Sequence, residues 1–194
     1  MEYGHGGDIY RNRNVELDFS VNVNPLGMPN FVWEASQRSI AFCTGYPDSS
    51  CENLRGRLSE LTGVPEDQMI FGNGAAELIF RLVQEVRPKK AVIPAPSFAL
   101  RSCGTEIAFF YLKEAESFFL NVSEFLDFLR TEQPEIIFLC TPANPTGAMI
   151  RQADLSKILD YCKKHGILLV LDECFVEFLD EERNCGCIRE FLDW

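Results

Sequence analysis

The chain has 194 residues, 46% of them hydrophobic and 24% charged, which is the make-up of a folded domain with a core and not of a disordered segment. Its 29 acidic side chains against 18 basic ones leave a formal charge of −11, which argues against nucleic acid or an anionic membrane surface as a partner, since either requires a basic face. A small anion remains compatible with that charge, because it needs only local donors.

No apolar run reaches the ~18 residues of a membrane-spanning helix, and the start "MEYGHGGD" lacks the basic and apolar parts of a secretory leader. A cytoplasmic protein is expected. The eight cysteines (Cys43, Cys51, Cys103, Cys140, Cys162, Cys174, Cys185 and Cys187) are irregularly spaced, so reduced thiols are expected and not a disulfide framework. Cys185 and Cys187 form a lone C-x-C with no second pair nearby, and no metal site is expected.

Residues 1–29 are rich in Gly, Asn and Pro and read as an irregular arm, with the main domain over 30–194. Helical spacing appears around Phe31–Phe42 and again, after the turn "YPDSS", from Cys51 to Leu61. "QMIF" is a short apolar run ahead of Gly72-Asn73-Gly74, and "AAELIFRLVQEV" follows at helical spacing. "AVIP" comes next, then a short helix predicted after Pro96, then "IAFFYL". "VSEFLDFLR" reads as a helix, "EIIFLC" as a strand, "DLSKILDYCKKHG" as a helix ending on a glycine cap, and "ILLVLDE" as a strand. The strands are continuous apolar runs, as strands buried on both faces are. The expected fold is therefore α/β, a mainly parallel sheet with helices on both faces.

Ligands of open α/β sheets bind beyond the carboxyl ends of the strands, so the residues after each apolar run carry the functional question. "GNGAAE" puts glycines directly before a helix, where backbone N–H groups and the helix dipole suit a phosphate; a tight turn with no ligand is the plainer alternative. The third glycine of a dinucleotide fingerprint is replaced by Glu77, and the Lys and Ser/Thr of a P-loop are missing. Phe98 could lie on an aromatic ring or simply pack in the core. Asp172 ends a buried run, where a carboxylate is costly without a partner; either an arginine or a protonated ring nitrogen would serve. Asn144, between Pro142 and Pro145, offers a donor and an acceptor.

A phosphate cradle, an aromatic, an amide and a strand-end carboxylate together are the fittings of pyridoxal 5′-phosphate. Through "ANPTG" and "LVLDE" at their mutual spacing, essentially the whole chain resembles the fold-type I pyridoxal-phosphate enzymes of the class I/II aminotransferase branch. "HGGD", "LDFSVNVNPLGMP" and "YPD" resemble the threonine-phosphate decarboxylases of cobalamin biosynthesis. The related histidinol-phosphate aminotransferases share the "NPLG"-like and "YPD" elements.

The resemblance implies roles by motif. Ala75 and Ala76 would present N–H groups to the cofactor phosphate, Phe98 would stack on the pyridine ring, Asn144 would bond the phenolic oxygen, and Asp172 would keep the pyridine nitrogen protonated. Tyr46 would reach the phosphate of a neighbouring subunit, implying a homodimer. His5, Asn22 and Asn24 would meet the phosphate or carboxylate of a phosphorylated amino-acid substrate. Phe175 stands where many aminotransferases have a tyrosine, which favours the decarboxylase branch. The family's cofactor-linking lysine is expected after Asp172, yet the last of the six lysines is Lys164, and Lys157 reads as a solvated helix residue. The chain is accordingly expected to be the N-terminal portion of such an enzyme, its sheet incomplete, its edge exposed and prone to association, and unable to turn over alone. The alternatives are a histidinol-phosphate aminotransferase-like protein, a non-catalytic cofactor-binding or dimerising protein, and a generic α/β phosphate binder.

Overall fold

A computed structural model describes residues 7–8, 10–11, 14–97 and 104–179 and divides into two units, Met1–Ser50 and Cys51–Trp194. His5, Phe98, Cys103, Cys185, Cys187 and the short helix predicted after Pro96 lie outside the described residues. None of the described cysteines is in a disulfide. Among the described residues no helix is long and apolar enough to cross a membrane, and no cluster of side chains suits a metal ion.

In the first unit, residues 14–29 form turns without helix or strand. Asn24 organises one of them: its side-chain oxygen accepts from the Leu26 N–H at 3.0 Å, and its amide donates to the Gly27 carbonyl at 2.9 Å. That closes the "NPLG" turn, and Gly27 takes the positive φ (77°) the turn needs. Helix α1 (Asn30–Ser39) starts after Pro29 and runs into a 3-10 turn at Ile40–Thr44. No described residue of this unit is buried; Phe19 is 90% and Leu26 92% exposed.

The second unit is an α/β layer structure. Its elements in chain order are α2 (Glu52–Thr62), α3 (Ala75–Val86), β1 (Lys90–Ala95), β2 (Glu106–Tyr111), α4 (Val122–Glu132), β3 (Ile136–Cys140), α5 (Gln152–His165) and β4 (Leu168–Asp172). The caps follow from residue chemistry. Asn121 accepts the Glu124 N–H ahead of α4, and Gly63 and Gly166 end α2 and α5 at φ 75° and 66°.

The strands form one four-stranded sheet in the order β2-β1-β3-β4, every pair parallel. Side chains alternate between its faces. Val92, Ile137 and Leu139 pack with Phe125 and Leu129 of α4 and with Leu155 and Ile158 of α5. Ala91, Ile93, Ile136 and Phe138 pack with Val83 of α3, joined by Ile79 and Leu82. Both faces are thus covered, which is why the strands carry no polar alternation. Among the described residues no strand lies outside β2 or β4, and Tyr111 (73% exposed) and Leu168 (40%) sit on those two edge strands.

The run "QMIF" corrects the simple alternation of strand and helix. Gln68 ends a 3-10 turn (Glu66–Gln68), and the residues after it pair with none of the four strands. Ile70 is 75% exposed. The carbonyl of Met69, which a strand partner would use, instead accepts from the Arg55 guanidinium at 2.5 Å, as does that of Glu66. The Arg55 guanidinium lies 5.2 Å from the centre of the Phe71 ring.

Candidate cofactor site

The strand order fixes where a ligand crevice can form. The chain leaves β1 for β2 on one side, then returns to place β3 on the other side of β1. Connections diverge at that point, so a crevice opens outside the carboxyl ends of β1 and β3. Pro96 and Ser97 follow β1 there, and the turn 141–150 follows β3.

Helix α3 brings its start to the same end of the sheet. Its 12 residues span ~18 Å at ~1.5 Å each, close to the ~20 Å of the six residues of β1. Only residues 87–89 separate the two elements, so α3 runs back along the sheet and starts near the carboxyl end of β1. Gly74 caps it at φ 84° and ψ 165°, a conformation open only to glycine, and contributes no side chain to the capping. A Cβ on Gly72 would meet Leu78 Cδ2 at 2.8 Å. No protein acceptor among the described residues takes the N–H groups of Ala75 and Ala76, which the helix itself leaves open.

Glu77 borders this cradle, a role that sequence reading missed. Its Oε2 accepts from the Asn73 N–H at 2.7 Å and from the Asn73 amide at 2.9 Å, while Oε1 accepts from Arg81 Nε at 2.7 Å. The Asn73 backbone bond, helped by Arg81, holds this carboxyl down at about 2. The spacing of Glu77 from Gly74 is that of a capping box and was available as a signal.

The turn after β3 is closed by its own bonds. The Ala143 N–H donates to Ala148 O at 2.8 Å, Gly147 N–H to Ala143 O at 2.7 Å, and Ile150 N–H to the hydroxyl of buried Thr141 at 3.0 Å. Half-buried Asn144 sits at its tip, and no hydrogen bond to its side-chain amide occurs among the described residues. Asp172 ends the neighbouring strand; its Oδ1 accepts from the Cys174 N–H at 3.0 Å. No Lys or Arg among the described residues forms an ion pair with it, so the arginine alternative finds no support there. Burial, then the bond to Asp172, pushes the Cys174 thiol up to about 11. A small cavity of about 30 Å³, lined by Pro96, Leu139, Cys140 and Ile150 among others, opens beside the turn.

Tyr46, Asn22 and Asn24 belong to the first unit, all exposed, Tyr46 fully. Phe175 lies 6.0 Å from Phe178, ring centre to ring centre. Lys157 extends into solvent and pairs with the buried carboxylate of Asp154 at 2.9 Å, as a solvated helix residue does.

The family model described as aminotransferase class I and II matches residues 14–192. The chain belongs to that family. This class I/II aminotransferase chain is 37% identical over 190 residues to the threonine-phosphate decarboxylase of Salmonella typhimurium, covering 92% of the chain and 52% of that protein. It is 35% identical over 164 residues to a histidinol-phosphate aminotransferase of Thermoanaerobacter sp., covering 81% of the chain and 46% of the relative. The solved histidinol-phosphate aminotransferase of Clostridium acetobutylicum shares its fold at a TM-score of 0.76, with 23% identity, over 90% of this chain and 52% of that one. The chain spans about half the length of the curated relatives it matches.

Class I/II aminotransferases depend on pyridoxal 5′-phosphate. The chemistry of the donors fits that group: open backbone N–H groups suit its phosphate, an amide suits its phenolic oxygen, and a carboxylate suits its ring N–H.

Proposed function

We propose that this chain is the cofactor-holding portion of a threonine-phosphate decarboxylase-like enzyme, which removes CO2 from L-threonine O-3-phosphate to give aminopropanol phosphate. One observation carries the choice: over nearly the same share of the chain, 92% against 91%, identity is 37% to the Salmonella typhimurium decarboxylase and 31% to the chloroplastic histidinol-phosphate aminotransferase 1 of Arabidopsis thaliana.

The N–H groups of Ala75 and Ala76 hold the cofactor phosphate, supported by the missing acceptors at the start of α3. Asn144 donates its amide to the phenolic oxygen. Asp172 keeps a proton on the pyridine nitrogen, and Phe98 covers the ring. Once bound, the cofactor supplies an electron sink for the pair released when a bond at the substrate α-carbon breaks. His5, Asn22 and Asn24 contact the substrate phosphate or carboxylate. Tyr46 serves a second subunit's cofactor, a reading supported by a first unit in which no described residue is buried and Tyr46 itself is fully exposed. No lysine follows Asp172 among the 194 residues, so this stretch holds the cofactor without a covalent link and does not turn over by itself.

Titrating the chain with pyridoxal 5′-phosphate tests the reading, with absorbance as the signal and borohydride trapping as a control for covalent attachment. Saturable, borohydride-resistant binding supports it; no saturable binding sinks it. L-threonine O-3-phosphate should then perturb the bound chromophore at lower concentration than L-histidinol phosphate. The opposite order selects the aminotransferase reading.

A further inference from the structure

The Asn144 side chain can act only if something fixes the main chain that carries it. Thr141 and Ile150 close the base of the turn, and Ala143, Gly147 and Ala148 tie its far side. Its near side is held by a group from the strand itself. The Cys140 thiol donates to the Pro142 carbonyl at 3.2 Å, and the Asn144 N–H acts electrostatically on its sulfur, opposing the burial that pushes the thiol up. Cys140 also stands opposite Asp172 in the β3–β4 register, where Thr141 N–H donates to Asp172 O at 3.0 Å. One side chain therefore holds the turn of Asn144 at the Pro142 carbonyl and abuts the strand end that carries Asp172.

We propose that Cys140 is a positioning residue that sets the Asn144 amide at its working separation from the Asp172 carboxylate. The proposal rests on the cofactor reading above. The thiol has the required chemistry, since its S–H holds the Pro142 carbonyl and its sulfur can accept weakly from an N–H of the same turn. A hydroxyl could keep both contacts, whereas valine fills the space and keeps neither. Burial pushes the thiol up from its ordinary value, which keeps it protonated and able to donate.

The test titrates the full 194-residue chain with pyridoxal 5′-phosphate and with 3-deoxypyridoxal 5′-phosphate, which lacks the oxygen assigned to Asn144. Cys140→Val should weaken binding of the complete cofactor about fivefold. It should leave the 3-deoxy analogue unaffected, and Cys140→Ser should restore the loss. In an Asn144→Ala background the Cys140→Val effect should vanish. Cys140→Ala, read against its own thermal midpoint, provides the same comparison if the valine variant does not fold. An equal loss for both ligands, additivity with Asn144→Ala, or no loss in either Cys140 variant overturns the proposal while the cofactor reading stands. Failure of the unmodified chain to bind pyridoxal 5′-phosphate overturns both.

Discussion

Cys140 and Asp172 are register partners at the carboxyl ends of β3 and β4, and by strand alternation both face the side of the sheet that α3 covers. The start of α3 lies at that same end, so the open N–H groups of Ala75 and Ala76 and a strand-end carboxylate share one face. This pairing couples the turn carrying Asn144 to the carboxylate, and the predictions below follow from it and from the elements around it.

Asp172→Asn should keep the Cys174 N–H contact, because an amide oxygen can still accept it, while removing the charge that favours a protonated ring nitrogen. Affinity for pyridoxal 5′-phosphate should fall about tenfold, or ~1.4 kcal/mol. Spectroscopic titration checks this, with a thermal midpoint close to that of the parent.

Gly74→Ala should destabilise the start of α3 by about 1–3 kcal/mol, because φ 84° with ψ 165° is closed to residues with a Cβ. The surrounding space is open, so the cost comes from the backbone and not from a clash. Urea unfolding measures it, and phosphate-dependent cofactor binding should weaken in parallel.

Phe125→Ala and Ile158→Ala should each cost about 2–5 kcal/mol, since both side chains are fully buried between the helices and the sheet. Phe109→Ala, on the edge strand and 45% exposed, should cost clearly less. Denaturant midpoints for the three variants provide the comparison.

Glu77 and Asp154 predict an acid limit. The folded chain holds the Glu77 carboxyl at about 2 against an ordinary 4.5, chiefly through the Asn73 N–H, and Lys157 with Arg151 holds Asp154 below its ordinary 3.8. A depressed folded value contributes stability that is complete above the unfolded value and is lost as pH falls toward the folded one. Melting temperature should therefore drop between about pH 4.5 and 2, and Glu77→Gln with Asp154→Asn should flatten that decline. An unchanged slope in the double variant would refute the assignment.

Thiol labelling should separate the cysteines. Cys43 and Cys174 are both exposed, but desolvation and then the bond to Asp172 push the Cys174 thiol up to about 11, and burial pushes Cys162 up to about 12. Iodoacetamide near pH 8 should modify Cys43 well before Cys140, Cys162 or Cys174, as read by peptide mass mapping.

Much of this fold is legible along the chain, because continuous apolar runs and helical spacing are local patterns. They place β1 to β4 and α2 to α5 within a residue or two of their observed bounds. The "QMIF" run shows the limit. Its composition suits a strand, but a strand exists only where another strand accepts its hydrogen bonds, and here Arg55 takes the Met69 carbonyl.

The sequence by itself determined the family and the parallel α/β class, since these follow from motif chemistry and periodicity at short range. The tertiary structure alone decided the β2-β1-β3-β4 order, the crevice between β1 and β3, and the Cys140–Asp172 register. Those depend on which distant strands share hydrogen bonds, and no local pattern encodes that choice. Cys140 looked like one thiol among eight until the register set it beside Asp172 and inside the turn of Asn144.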